Sequence, residues 1–271
     1  MKEIFSILIL CFLSLNIFGQ DLEYSDQEIQ IKLDSIKKEG NLLYSLENAS
    51  WNSTDYTRDN KKLKKDFGGY LTYQSNDSIK TVILSKNQNE IIAEYIYLND
   101  NKKPIKEKIA TRTLNDSESK LLSVRQNLFS QLSDAKYEVG VPENFSLNLI
   151  IIPFENSFKN YLITGSHESG VIPFGNDFLF ITDNEGKITD WKKFHSRLIP
   201  QYTSDGNGNY MTMSTHSHLR TSPFISATDI CTFKLYAPFT KLDKFSVYSP
   251  ALKTYFTYDY KKNTLQKTDK P

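Results

Sequence analysis

Strand-forming sequence is densest in residues 147–164, which read LNLIIIPFENSFKNYLIT. Two apolar runs in it, Leu147–Phe154 and Tyr161–Thr164, have the lengths of β-strands and are separated by polar residues. More segments of the same kind follow toward the C-terminus: 178–182, 188–194, 210–218, 245–248 and 255–258. The second half of the chain is therefore predicted to form a mixed β-sheet.

Helical patterns interrupt these strands at two places. Residues 227–236 form one predicted helix, and leucines with helical spacing predict a longer one over Thr113–Lys136. The segment Asp183–Gly186 is typical of a hairpin turn, and Gly206–Asn209 marks a flexible loop. The expected fold class is α/β in the broad sense (α+β), with a mixed sheet and flanking helices.

The first half of the chain has its own α+β pattern. An amphipathic helix is expected from Ser25 to about Gly40, with apolar spacing that can resume beyond it, and Ser25 with Glu28 forms a potential capping box. The lysine-rich stretch 52–66 is typical of a solvated loop or helix face. Period-two patterns then predict three antiparallel strands: 70–73, 81–84 and 91–98.

The N-terminus has the features of a secretory signal peptide. Lys2 precedes an apolar run from Ile4 to Leu15, and Gly19 is a small residue before a plausible cleavage point. The run is shorter than the roughly twenty residues that span a bilayer. We therefore expect an exported protein, periplasmic or secreted, with residues 1–19 removed and no integral membrane segment in the mature chain.

The mature chain is expected to have two regions with a soft boundary near residue 110. Residues 20–110 would form an α+β accessory region, and residues 111–271 a C-terminal domain. The 33 basic and 32 acidic side chains give a net charge of +1, which provides no long-range attraction for nucleic acid. Cys231 is the only cysteine after residue 19, so no intramolecular disulfide is expected.

The chain's four histidines all lie in the second half: His167, His195, His216 and His218. In a strand, the two-residue period places His216 and His218 on the same face. Two imidazoles on one face can bind one metal ion. His167 and His195 are interpreted as ordinary surface or hydrogen-bonded histidines, with spare ligands or active-site donors as the alternative.

The sequence after the histidine pair continues a longer pattern. Seven residues follow His218 before Ser226, and two more precede Asp229. This spacing resembles the signature of the JAMM (MPN-type) zinc metallopeptidases. The similarity extends over roughly residues 160–260, because a predicted helix over 230–236 is followed by a strand that ends at Ser249-Pro250.

The resemblance implies a zinc site with His216, His218 and Asp229 as ligands and an open position for water. Zinc would acidify that water and polarise an amide carbonyl. Ser226 would donate a hydrogen bond to the developing oxyanion, and an upstream glutamate would act as general base. Glu168 is the first candidate for that glutamate; Glu155, or no glutamate at all, are the alternatives.

The sequence therefore supports two hypotheses about function. The first is an exported zinc-dependent peptidase or amidase that hydrolyses a peptide or other amide bond through a zinc-bound water. The second is a non-catalytic exported binding or envelope protein that keeps the JAMM-like fold. Ser226 and Asp229 also fit a helix N-cap and its N3 partner without metal. Cys231 is interpreted as a small buried apolar residue.

Overall fold

The computed structural model describes residues 24–98 and 100–271. The predicted signal segment, residues 1–19, lies outside the described residues. The described chain combines four α-helices with strands in several sheets, so the expected α+β class is confirmed.

The helices begin where the sequence supplies capping residues. The four α-helices are α1 (Asp26–Asp59), α2 (Lys61–Lys65), α3 (Asp116–Gln131) and α4 (Ala227–Tyr236). Short 3-10 turns cover Ala135–Tyr137 and Ala237–Phe239. The three long helices each start with a capping box, in which the side chain at the N-cap and the acidic side chain three residues later satisfy each other's backbone N–H groups. The boundaries of these helices are thus encoded locally.

The first sheet contains the three predicted antiparallel strands. Its order is β1 (Phe67–Ser75), β2 (Ser78–Ser85), β3 (Glu90–Tyr97) and β4 (Lys106–Lys108), and β5 (Arg112–Thr113) also pairs with β3. Asn76 adopts a φ of 54° in the turn between β1 and β2, a conformation that asparagine tolerates well. Since no strand of residues 24–98 and 100–271 pairs with the other side of β1, this strand is an edge of the described sheet.

The second sheet forms from the segment in which strand signals are densest. It comprises β6 (Phe145–Phe154), β7 (Ser157–Ser166), β9 (Phe178–Thr182) and β10 (Ile188–Lys193), in the order β10-β9-β7-β6. The predicted turn after β9 is present, with the Gly186 N–H donating to the Asp183 carbonyl. A separate ribbon pairs β8 (Val171–Gly175) with β11 (Leu198–Tyr202).

The last sheet carries the histidine pair at its edge. It consists of β12 (Thr215–Ser217), β13 (Lys244–Ser249), β14 (Thr254–Asp259) and β15 (Thr264–Thr268). The strand predicted over 210–218 is thus limited to three residues, and it pairs in parallel with β13. The ring of Phe245 in β13 lies 4.7 Å from that of Phe233 in α4, so β12 is next to a strand that contacts this helix.

Helices α1 and α4 pack closely against each other. Gly40 lies in α1 opposite Ile230 of α4, so the helix predicted to reach about Gly40 continues through it to Asp59. The buried clusters around these helices combine residues from both halves of the chain, among them Leu43, Ile83, Ile163 and Cys231. The boundary near residue 110 stays a prediction. None of the described helices is long and apolar enough to cross a membrane.

Candidate metal centre

Four side chains from separate segments converge at one point beside α4. His195 lies in the loop between β10 and β11, His216 is in β12, His218 directly follows β12, and Asp229 lies in the first turn of α4. Each contributes one potential ligand atom, and these atoms lie within 4.8 Å of one another. The three ligands predicted from the sequence are thus brought together, and His195 joins them.

Two of the distances between the ligand atoms match a tetrahedral coordination sphere, and the distance between His195 and His218 is shorter. His195 Nε2 lies 2.8 Å from His218 Nε2. Asp229 Oδ1 lies 3.4 Å from His195 Nε2 and 3.3 Å from His216 Nε2. In a tetrahedral zinc site with bonds of about 2.0–2.1 Å, neighbouring ligand atoms are roughly 3.3–3.4 Å apart. The cluster has the size needed to surround one such ion.

Hydrogen bonds fix which nitrogen of each imidazole faces the centre. His195 Nδ1 lies 2.7 Å from Asp177 Oδ1, and His218 Nδ1 lies 2.7 Å from the Phe224 carbonyl oxygen. A carboxylate and a carbonyl only accept, so both Nδ1 atoms are donors. In the neutral imidazoles the two Nε2 atoms then carry lone pairs that face each other. The two lone pairs repel each other, and a cation placed between the two nitrogens would attract both.

Several atoms of the cluster are buried without a hydrogen-bond partner. These atoms are His216 Nδ1, His216 Nε2 and Asp229 Oδ1. A proton shared between His195 and His218 would relieve the contact between those two rings but would leave all three atoms without a partner. A metal ion at the centre would satisfy His216 Nε2 and Asp229 Oδ1 together. Unpaired buried polar atoms are costly, which favours the metal.

The electrostatics of the centre also suit a cation. Burial by itself would raise the pKa of Asp229, but the three imidazoles hold this pKa well below its usual range. Burial lowers the pKa of His216, which favours the neutral imidazole that metals bind. For His195 burial acts in the same direction, but Asp177 and Asp229 raise its pKa to about 9. The cluster therefore attracts positive charge, as a proton or as a metal ion.

A second layer of side chains orients the ligands. The Thr228 hydroxyl donates to Asp177 Oδ2, so the first turn of α4 holds the carboxylate that holds His195. The Ser226 hydroxyl and backbone N–H both reach Asp229 Oδ2, at 2.7 and 2.9 Å. Asp229 Oδ1 faces His195 and His216, and Oδ2 also lies 3.1 Å from His218 Nε2. Carboxylates and carbonyls commonly support metal-bound histidines in this way.

Ser226 has the N-cap role that the sequence allowed. Its hydroxyl accepts from the Asp229 N–H, and with the reciprocal bond to Asp229 Oδ2 it completes the capping box of α4. Its predicted contact with an oxyanion stays a prediction. Cys231 is fully buried as expected, in the cluster shared by α1 and α4.

A cavity of about 320 Å³ reaches the histidine cluster from outside. The three clustered histidines line it together with Ser196, Arg197, Ile199, Ser217 and Leu219. The side chains of the four clustered residues are only 1–5% exposed. The centre is therefore enclosed but borders a space large enough for a small group.

The candidate glutamates lie elsewhere. Glu168 is in the exposed turn between β7 and β8, where its backbone N–H bonds the Ser166 hydroxyl. Glu155 is exposed in the turn between β6 and β7. Neither lines the cavity over the histidines. His167 is exposed beside Glu168. The assignment of a general base to Glu168 or Glu155 stays a prediction.

The sequence suggested a ligand role for His195 only as an alternative to an ordinary histidine, and it did not single out Asp177. His195 is 21 residues before His216 in the chain, and no fixed spacing relates them. Two signals were present: the shared location of all four histidines in the second half, and an aspartate directly before the strand-forming run that begins at Phe178. Neither signal specifies a contact, because the contact depends on how two loops meet.

Comparisons with known proteins add no further assignment. No family model matches this chain, and no curated protein or solved structure shows significant similarity to it.

Proposed function

We propose that this chain is an exported zinc-binding protein whose metal centre is formed by His195, His216, His218 and Asp229. The observation that carries the proposal is the group of converging ligand atoms: His195 Nε2 and His218 Nε2 lie 2.8 Å apart, and the buried His216 Nε2 and Asp229 Oδ1 beside them have no hydrogen-bond partner. Within the described residues, no other group of histidine, cysteine and acidic side chains is arranged to hold a metal.

The donor set favours zinc over other common metals. Three imidazoles and one carboxylate suit zinc, whereas calcium and magnesium prefer sites made mainly of oxygen ligands. Four protein ligands also fill a tetrahedral sphere, which is typical of a structural site. As a structural site with four protein ligands, the zinc would connect the β10–β11 loop, the end of β12 and the start of α4.

A second candidate function is hydrolysis of an amide bond, and the cavity over the histidines favours it. In this form His216, His218 and Asp229 hold the zinc, as the JAMM resemblance implies. Bound zinc would supply an acidified water and a Lewis acid for the amide carbonyl. His195 would then be a proton acceptor oriented by Asp177, in the role that the resemblance gives to a glutamate. A peptide or other amide outside the cytoplasm is the proposed substrate.

Metal analysis of protein purified without chelator tests the proposal. We expect about one zinc per chain, bound by a centre with tetrahedral geometry. His216→Ala should abolish the zinc. His167→Ala is the matched control, because this exposed histidine is outside the cluster. A wild-type protein that stays zinc-free after incubation with zinc would exclude both functions.

The variant His195→Ala separates the two functions. If His195 is the fourth ligand, the variant should bind zinc more weakly. If His195 moves a proton, the variant should keep its zinc and lose roughly 10²–10⁴-fold in cleavage rate. Cleavage is measured with a peptide and amide library, with and without chelator. Zinc-loaded wild type that cleaves nothing in a chelator-sensitive manner would leave the non-catalytic function.

Export is part of the proposal and rests on the sequence of residues 1–19 alone. The mature chain is expected to begin near Gln20 and to be recovered from the periplasm or the medium. Mass spectrometry of the native protein measures its N-terminus. An intact Met1 on a cytosolic protein would contradict export without affecting the metal centre.

A further inference from the structure

Two neighbouring cavities are distinct from the one at the histidine cluster. No residue that lines either of them also lines the histidine cavity. Their volumes are about 230 and 660 Å³. Both lie where the edge strands β1 and β6 approach each other under helix α3, and both include Leu121 and Ile151 in their walls. Together they form a groove, which we call the α3 groove.

The walls of the α3 groove expose apolar and polar surface in about equal parts. The apolar part of the smaller cavity comprises Leu71, Leu121, Phe129, Leu147, Leu149 and Ile151. Phe158, Ile152 and Pro153 continue this lining into the larger cavity. A ligand pocket typically combines apolar side chains with polar groups that fix orientation. An apolar ligand body fits along these side chains.

One cation in the groove lacks a counter-charge. Arg125 of α3 is half-buried, and its Nη1 donates to the Tyr70 carbonyl at 2.8 Å. Its guanidinium also lies 5.9 Å from the centre of the Phe129 ring. Among the described residues, no carboxylate lies within ion-pair distance of Arg125, and no acidic residue lines either cavity. Burial lowers the pKa of Arg125, because the charged guanidinium loses part of its hydration and gains no carboxylate partner.

Several other partly buried cations of this protein are paired with carboxylates. Arg112 contacts Glu94 and Glu118, and Lys159 lies 2.6 Å from Glu39. Lys80, which lines the larger cavity, lies 2.6 Å from Glu94. Lys120 adds a further positive charge to that cavity. The α3 groove thus combines apolar side chains with an excess of positive charge.

We propose that the α3 groove binds a small amphiphilic carboxylate, such as a medium-chain fatty acid. Its carboxylate pairs with the guanidinium of Arg125, whose planar fork of N–H groups matches a carboxylate. Its apolar chain lies between α3 and β6, along Leu121, Leu149 and Ile151. The site is independent of zinc, because none of its residues belongs to the histidine cluster.

Isothermal titration of the full chain with dodecanoate, below its micelle concentration, tests the proposal. We expect one molecule to bind per chain, and dodecanol, a neutral analogue of the same length, to bind at least about tenfold more weakly. Arg125→Gln should weaken dodecanoate binding by a similar factor. Arg58→Gln is the matched control, because this arginine is exposed on α1. Leu149→Trp should block binding by filling the groove.

Several results would overturn the proposal. They are absence of dodecanoate binding, equal binding of dodecanol, and unchanged dodecanoate binding to a folded Arg125→Gln protein. Circular dichroism and zinc content establish that each variant is folded. If Arg125→Gln does not fold, Arg125→Lys is the substitute variant, because it keeps the positive charge. The comparison of dodecanoate with dodecanol on the wild type tests the proposal in either case.

Discussion

At the residue scale, Asp177 determines how His195 meets the other ligands. It accepts from His195 Nδ1 and from the Thr228 hydroxyl, and only 3% of its surface is exposed. Asp177→Asn replaces an acceptor-only carboxylate with an amide, which no longer fixes the His195 tautomer. We expect zinc affinity to fall about 10–100-fold with the fold intact.

Competition with a chromophoric chelator measures this affinity. Asp190→Asn is the control, because Asp190 is exposed on β10 and accepts only from the neighbouring Trp191 N–H. Equal zinc affinity of wild type and Asp177→Asn would show that Asp177 does not support a metal ligand.

Glu47 is a second residue with a measurable effect. It is fully buried in α1, Trp51 Nε1 donates to its Oε1 at 2.7 Å, and its Oε2 has no partner. Burial raises the pKa of Glu47 to about 7. Because the folded protein holds the Glu47 proton more tightly than the unfolded chain does, its stability decreases as pH rises from the unfolded pKa, about 4.5, toward 7.

The variant Glu47→Gln should remove this dependence. At pH 8 the charged carboxylate costs the wild type up to about 3 kcal/mol of unfolding free energy relative to pH 4.5. The difference between variant and wild type, measured by urea unfolding at pH 5 and pH 8, should therefore favour the variant more at pH 8. Glu143→Gln, at an exposed position, should show no such change. A difference that does not vary with pH would exclude a raised pKa.

At the residue scale, only part of the candidate metal centre could be predicted from the sequence. The period of a strand predicted that His216 and His218 share a face, and Asp229 was predicted from the spacing that this segment shares with the JAMM signature. His195 and Asp177 are held by contacts between loops that are separated in sequence. Contacts of this kind produce no local pattern of residue types, so they cannot be predicted from one sequence.

At the element scale, the packing of α1 on α4 positions Asp229. A Cβ atom on Gly40 would lie 2.7 Å from Ile230 Cβ and 3.0 Å from the Ala227 carbonyl oxygen. Glycine normally weakens a helix interior, and here the close approach of the two helices explains its presence.

Gly40→Ala should therefore destabilise the protein. An alanine gains about 1 kcal/mol of helix propensity, but overpacking at a close helix contact costs about 1–3 kcal/mol. We expect a net loss of unfolding free energy in urea and weaker zinc binding, since α4 must shift. Gly140→Ala is the control, because nothing lies within 4 Å of its added Cβ. A Gly40→Ala protein more stable than the wild type would show that α4 moves without cost.

The elements themselves were predictable where their pattern is long and local. The central strands of both main sheets and helix α4 match their predicted positions. Short β4 and β5 lack enough residues to show a period. Ribbon β8–β11 was missed because Pro173 and Pro200 lie opposite each other, and prolines are rare in paired strands. In the C-terminal part of α1, Ser53 and Thr57 are fully buried. The polar composition of this part predicted a solvated segment and gave no sign of its buried face.

At the scale of the whole molecule, the core is shared across the chain. Leucines of α1, strands of the first sheet, strands of the second sheet and α4 meet in one cluster. The residues proposed to bind zinc connect two loops and a helix at the border of this core. Metal binding is therefore expected to be coupled to the stability of the entire fold, with no disulfide to substitute for it because Cys231 is the only cysteine among the described residues.

Removal of the metal should accordingly lower the unfolding temperature. A ligand present at a thousand times its dissociation constant adds about 4 kcal/mol to stability, which for a protein of this size corresponds to roughly 8–16 °C. Calorimetry of zinc-loaded protein with and without chelator measures the shift. His216→Ala should unfold at one temperature in both conditions, whereas His167→Ala should keep the wild-type shift. If chelator changes nothing in a wild-type protein that contains zinc, the metal lies outside the centre formed by His195, His216, His218 and Asp229.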